Sequence, residues 1–175
     1  MNLAKVHYNS ESVIQILSTT LNEIINDETV VICIGTDKVI GDTLGPIVGT
    51  ILEKNNFMYP VYGTLDKPIH ALNIYEAIEH IKEKHKNANF LAIDACLGSR
   101  DSIGNIQLRK GPILPGKGVG KTLPQIGDFS IVGIVDKIED NRCLSSSNIR
   151  LSFIYSIAET IASSILASVK LEYNI

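Results

Sequence analysis

A chain of 175 residues, 45% hydrophobic and 20% charged, is long enough for one domain with a full core and too apolar to be disordered. Its net charge of −3 gives no electrostatic reason to expect nucleic acid or an anionic membrane as a partner. Three widely spaced cysteines, Cys33, Cys96 and Cys143, indicate neither a disulfide framework nor a zinc site, so a reduced compartment is expected.

Residues 1–8 lack the apolar core of a signal peptide, and no apolar run reads as long enough to span a bilayer, which together predict a soluble cytoplasmic protein. Residues 10–26 place Val13, Ile14, Ile16, Leu17, Leu21, Ile24 and Ile25 at helical spacing, predicting an amphipathic first helix. Residues 30–34, Val-Val-Ile-Cys-Ile, lack polar alternation and suit a strand covered on both faces, as in a parallel sheet. The glycine-punctuated stretch that follows carries Asp37 and Asp42 and leads into a helix over 44–54.

Pro46 constrains where that helix begins. With Asp42 as N-cap, Pro46 would stand where the first intrahelical N–H is needed, and proline has none. Thr43 is the better N-cap, which leaves Asp42 just outside the helix, free to point into the crevice at the carboxyl edge of the sheet. Capping or decorating the helix start is the alternative role for Asp42.

Further along, residues 58–62 read as a strand, followed by a loop that carries His70. Residues 71–85 read as a helix burying Leu72, Tyr75, Ile78 and Ile81. Residues 90–93, Phe-Leu-Ala-Ile, repeat the first strand's pattern and end at Asp94, with a glycine-bearing turn beyond Cys96. Strands alternating with helices predict right-handed crossovers, a mostly parallel, mixed sheet and a three-layer α/β/α fold. Residues 104–108 suggest a short antiparallel strand, 111–125 a Gly/Pro-rich loop, 129–135 another strand, and 148–169 a long closing helix. No linker or repeat divides the chain, so a single domain over 1–175 is expected.

Asp42 and Asp94 thus arrive at one crevice from different strands, and two carboxylates a few ångströms apart share a proton because both cannot easily ionise. Such a pair activates water with one member and protonates a leaving group with the other. A strand-end carboxylate accepting turn N–H groups is the alternative for Asp94. Asp37 reads as an Asx-turn residue of the same crevice wall. Cys96 with His70 forms a rival thiol–imidazole constellation that lacks a third group to orient the ring. No spacing indicates a metal cage, although Asp42, Asp94 and His70 together have the chemistry to hold a divalent ion.

Residues 115–122, Pro-Gly-Lys-Gly-Val-Gly-Lys-Thr, end like a phosphate-binding loop. The motif requires glycine where Pro115 stands and a helix where Pro124 forbids one, so nucleotide binding is rejected and no cofactor is expected. The run reads instead as an extended loop whose Gly116, Gly118 and Gly120 let backbone approach a peptide closely. Between residues 100 and 121 lie Arg100, Arg109, Lys110, Lys117 and Lys121 against Asp101 alone, a balance that attracts an acidic polypeptide if it is more than a solvated surface.

Three blocks, Gly41-Asp42-Thr43-Leu44-Gly45-Pro46, Ile93-Asp94-Ala95-Cys96-Leu97-Gly98-Ser99-Arg100, and residues 111–120, resemble in the same order blocks of the germination protease family of endospore-forming bacteria. The length and the Ile34-Gly35-Thr36-Asp37 lead-in resemble the shorter YyaC family of sporulation proteins across nearly the whole chain. This resemblance implies a hydrogenase-maturation-protease-like fold and an atypical aspartic peptidase with Asp42 and Asp94 catalytic. It also implies a forespore or spore-core location, while Asp37, His70, Arg100, Gly116, Lys117, Gly118 and Gly120 are read as the substrate side of the same crevice. Small acid-soluble spore proteins are the polypeptide substrates it suggests, with self-association into a homo-oligomer left open.

The chain departs from the germination protease at Lys117, where a small polar residue is usual, and at Cys96-Leu97-Gly98, where the turn is richer in alanine. It is also much shorter, without room for a propeptide. Two other readings stand beside the peptidase: a non-catalytic relative that binds a peptide or protein during spore formation, and a metal-dependent maturation endopeptidase. For the latter, the carboxylates fall near Asp42 and Asp94, while its histidine ligand has no evident counterpart.

Overall fold

A computed structural model of the protein describes residues 1–115, 123–138 and 148–170. Strand β2 (Thr29–Cys33) is buried at every position, as expected of apolar residues with layers packed on both faces. On one side it pairs in parallel with the two-residue β3 (Val61–Tyr62), on the other with β4 (Asn89–Gly98). Strand β6 (Phe129–Lys137) adds in parallel to β4, and β5 (Asn105–Lys110) pairs antiparallel with β6. The last edge is β1 (Asn2–His7), antiparallel to β5, giving the order β1-β5-β6-β4-β2-β3 among the described residues.

Helices α1 (Val13–Asn22), α2 (Leu44–Lys54) and α4 (Leu151–Lys170) pack on one face, over Val31, Cys33, Leu91, Ile93, Ile131 and Val135. On the other face α3 (Ile74–Lys84) covers Val30, Ile32, Ile34 and Ala92, joined there by Ile113, Leu123 and Ile126. The result is the expected three-layer α/β/α fold with a mixed, mostly parallel sheet. Ile154, Ile157, Ile161 and Ile165 of α4 are all fully buried. Truncating any one of them to Ala would cost roughly 2–5 kcal/mol through lost burial and the cavity left behind.

The structure revises several expectations. Residues 2–7 form an edge strand that local pattern does not announce, since its partner β5 lies about a hundred residues further on. Pro60 keeps β3 short, because it brings no N–H to a ladder; its carbonyl instead accepts the Val31 N–H at 2.9 Å. The buried stripe of α3 is Ile74, Ile78 and Ile81, whereas Leu72 is 82% and Tyr75 59% exposed. The i, i+4, i+7 isoleucines bury more branched surface and set the rotation of the helix.

Helix α4 also corrects the reading that no run is long enough for a membrane. Residues Leu151–Val169 have the length and mean hydropathy, 1.4, of a crossing segment. In this fold its apolar stripe lies on the sheet and against α1 and α2.

Candidate active site

Three backbone hydrogen bonds carry the chain from the end of β2 to Asp42. The Ile34 N–H donates to the Ile93 carbonyl at 2.8 Å, the Gly35 N–H to the Ile69 carbonyl at 2.8 Å, and the Thr36 N–H to the Asp42 carbonyl at 3.0 Å. Gly35 has φ +141°, and a Cβ there would lie 2.0 Å from the Asp42 carbonyl oxygen. Glycine is therefore required for the loop to close on itself.

Asp42 is the last residue of a 3₁₀ turn, Ile40–Asp42, rather than part of an open loop. Thr43 takes the cap position of α2 as expected, but its backbone is helical and its hydroxyl does not cap the helix. It donates to the Ile40 carbonyl at 2.6 Å and so braces the 3₁₀ turn. The Ile47 N–H bonds the Thr43 carbonyl at 3.0 Å, and Pro46, one residue earlier, needs no donor.

Asp94 lies inside β4 rather than at its end. Strand β2 stops at Cys33, opposite Ile93, while β4 continues along β6 with Asp94 opposite Val132. Losing one neighbour while keeping the other brings Asp94 out beside the 35–42 loop, on the α3 face with Ala92 and Cys96. Its Oδ1 accepts the Ala95 N–H at 2.9 Å.

The two carboxyl groups interact. Burial raises Asp42 to about 6, against a lowering hydrogen bond from the Thr36 backbone. Asp94 stands well above the usual carboxylate range, first because of burial and second because of the Asp42 charge, with the Ala95 N–H acting in the opposite direction. Both carboxyl groups are therefore held toward the neutral form, Asp94 partly by the charge of Asp42. One proton on a carboxyl–carboxylate pair provides an acid and a base at a single place.

The other candidates fall out unevenly. His70 reaches the same edge, half-buried next to the Ile69–Gly35 bond, but its Nδ1 accepts the Leu72 N–H at 3.3 Å. It does not join the aspartates in a metal-sized cluster; among the described residues no three His, Cys, Asp or Glu side chains gather in that way. Asp37 is exposed, and the turn expected of it belongs to Thr36, whose Oγ1 accepts the Lys38 N–H at 3.3 Å.

Arg100 is exposed in the 3₁₀ turn Arg100–Ser102 that follows β4. Cys96 is half-buried and its thiol donates to the Leu97 carbonyl at 3.2 Å. Gly116, Lys117, Gly118 and Gly120 lie outside the described residues. The Ala95 N–H on Asp94 matches the alternative role offered for that carboxylate, whereas the Thr36 N–H support of Asp42 escaped sequence reasoning. Every non-proline residue has such a donor, so no residue type announces it.

Residues 5–164 match a family described as "Protein of unknown function (DUF1256)". The chain belongs to that family. A relative in Bacillus subtilis (strain 168), described as "Uncharacterized protein YyaC", is 39% identical over 160 residues, covering 91% of this chain and 78% of the relative. The expected resemblance to YyaC thus extends over most of the chain. Among solved structures, a [NiFe] hydrogenase maturation protease, HycI from Thermococcus kodakarensis KOD1, aligns at 15% identity with a TM-score of 0.48, over 83% of this chain and 98% of that one.

Proposed function

We propose that the protein is a peptidase of spore-forming cells in which Asp42 and Asp94 carry out water-mediated hydrolysis. The observation that carries this reading is the electrostatic pairing of two half-buried carboxyl groups, one from the β2–α2 turn and one from β4. Near neutral pH, Asp42 as carboxylate takes a proton from water, whose oxygen attacks the peptide carbonyl. Asp94, still protonated, hydrogen-bonds the carbonyl oxygen and then supplies a proton to the departing amine. Asp42 then passes its acquired proton to Asp94, which gave its own to the amine, and the pair returns to its starting state. General acid–base assistance of this kind contributes about 10²–10⁴-fold each.

The blocks shared with the germination protease family support small acid-soluble spore proteins as substrates and the forespore as the place of action. The test is cleavage of a purified small acid-soluble spore protein by the wild type, Asp42→Asn and Asp94→Asn, with folding verified by circular dichroism. Cleavage by the wild type and its loss in both folded variants supports the proposal. Intact substrate with the wild type, confirmed on an unbiased peptide library, overturns it. A non-catalytic polypeptide binder is the second reading, favoured by the bond that already occupies Asp94 Oδ1, and it would show binding without cleavage.

A further inference from the structure

Helix α2 leads away from the aspartates and ends at a second concave site. Its 11 residues, Leu44–Lys54, carry the chain about 16 Å from the Asp42 turn toward the opposite edge of the sheet. Asn56, beyond the last turn, takes φ +51°, a left-handed conformation that asparagine tolerates at a helix end. Its N–H donates to the Glu53 carbonyl at 3.1 Å, and the Phe57 N–H donates to the Leu52 carbonyl at 3.0 Å. That pair of bonds closes the helix and turns the chain back toward β3.

The return brings Phe57 and Tyr59 edge to face, with ring centroids 5.5 Å apart at 81°. With Glu53, Asn56 and Val61 they line a cavity of about 320 Å³. Tyr59 is 8% exposed and Phe57 half-buried, whereas Glu53 and Asn56 are exposed, so the floor is aromatic and the rim polar. The rim is also anionic. Among the described residues no Lys, Arg or His lines the cavity, and Lys54, although next along the helix, is not part of its wall. The Tyr59 hydroxyl donates to Asp27 Oδ1 at 3.4 Å, which sets a second carboxylate behind the ring. The C-terminal end of α2 adds the negative pole of the helix dipole, and ring faces attract cations through their quadrupole.

We propose that this cavity binds an organic cation, an alkylammonium or guanidinium group, with Glu53 pairing its charge and Phe57 and Tyr59 carrying its apolar stem. Lysine, arginine and polyamines share this build, a charged head on an apolar stem that packs along ring surface. The volume lies near the bottom of the range of about 300–1,000 Å³ usual for small-molecule sites, so it admits one such group rather than a larger ligand. Two sources supply that chemistry, a basic side chain of a polypeptide and a free polyamine. The site lies at the far end of α2 from Asp42 and stands whether or not the aspartates hydrolyse anything.

The test is NMR titration of the ¹⁵N-labelled full chain, reading the backbone amides of residues 53–61, which contain the cavity wall. The probes are N-acetyl-arginine N-methylamide, spermidine, and N-acetyl-citrulline N-methylamide, which keeps the shape of the arginine derivative without its charge. Both cations should give saturable shifts there, and the citrulline derivative should bind at least about tenfold more weakly than the arginine derivative. Glu53→Gln and Phe57→Leu, each checked by thermal unfolding, should each weaken cation binding by about three- to fivefold. Tighter binding of spermidine upholds the site for a free amine, and tighter binding of the arginine derivative upholds it for a basic side chain. Equal affinity for the arginine and citrulline derivatives, no saturable shift at residues 53–61, or affinities unchanged in both folded variants overturns the proposal.

Discussion

Gly35 and Asp42 meet backbone to backbone, so tightly that a methyl group on Gly35 would lie 2.0 Å from the Asp42 carbonyl oxygen. The next residue, Thr36, seals the contact with a hydrogen bond to that carbonyl. Placement of the carboxylate thus depends on a residue with no side chain. In Gly35→Ala both the φ of +141° and the clash must be relieved by opening the loop. A loss of about 2–3 kcal/mol in urea unfolding is expected. Hydrolysis should fall further than the lost stability accounts for.

Thr43 braces the turn that ends in Asp42, through its 2.6 Å bond to the Ile40 carbonyl. The side chain is 5% exposed, so Thr43→Val preserves shape while removing the donor. It should lower stability by about 1 kcal/mol, with Thr43→Ser close to wild type. Urea midpoints of the two variants separate the hydroxyl from the packing.

Stability should decline as pH rises. The folded protein holds Asp42 at about 6 against an ordinary 3.8, so between those values it binds more protons than the unfolded chain. Stabilisation from the neutral carboxyl is complete below the unfolded value and is lost as pH climbs through about 6. Asp94, also raised, adds a loss of the same sign. Allowing for partial solvent exposure, about 1–3 kcal/mol should disappear across this range. Asp42→Asn should be more stable than wild type at pH 7 and flatter in its pH dependence. Urea titrations from pH 4.5 to 8 measure both, and a wild type that gains stability with pH would contradict the assignment.

Catalysis should follow a bell. The rate constant kcat/KM should rise through pH about 6 as Asp42 becomes a carboxylate, and fall where Asp94 loses its proton. Asp94→Asn should remove the descending limb from any residual activity, since the acid is gone. Initial rates on a fluorogenic peptide across pH 4.5 to 9 test the order of ionisation.

Much of this was legible in the residues themselves, for local reasons. The apolar run before Gly35 marked a buried strand, the missing N–H of Pro46 moved the start of α2 to Thr43, and Asp42 and Asp94 followed from two strands ending at one edge. Those inferences use steric and hydrogen-bonding rules that act within a few residues. The rotation of α3 escaped because several apolar stripes competed and packing against the sheet chose the isoleucines. Strand β1 and the continuation of β4 past Asp94 escaped because each depends on a partner strand distant in sequence.

Residue order and local chemistry were enough for the fold class, and they single out Asp42 and Asp94 as the carboxylates to test. The raised pKa values of the two carboxyls came only with assembly of the chain, because burial and the proximity of charges arise when β4 and the 35–42 loop come together. Assembly also brought Gln107 into line with Asp94 through Val132, because cross-strand register is a relation between segments and no single segment contains it.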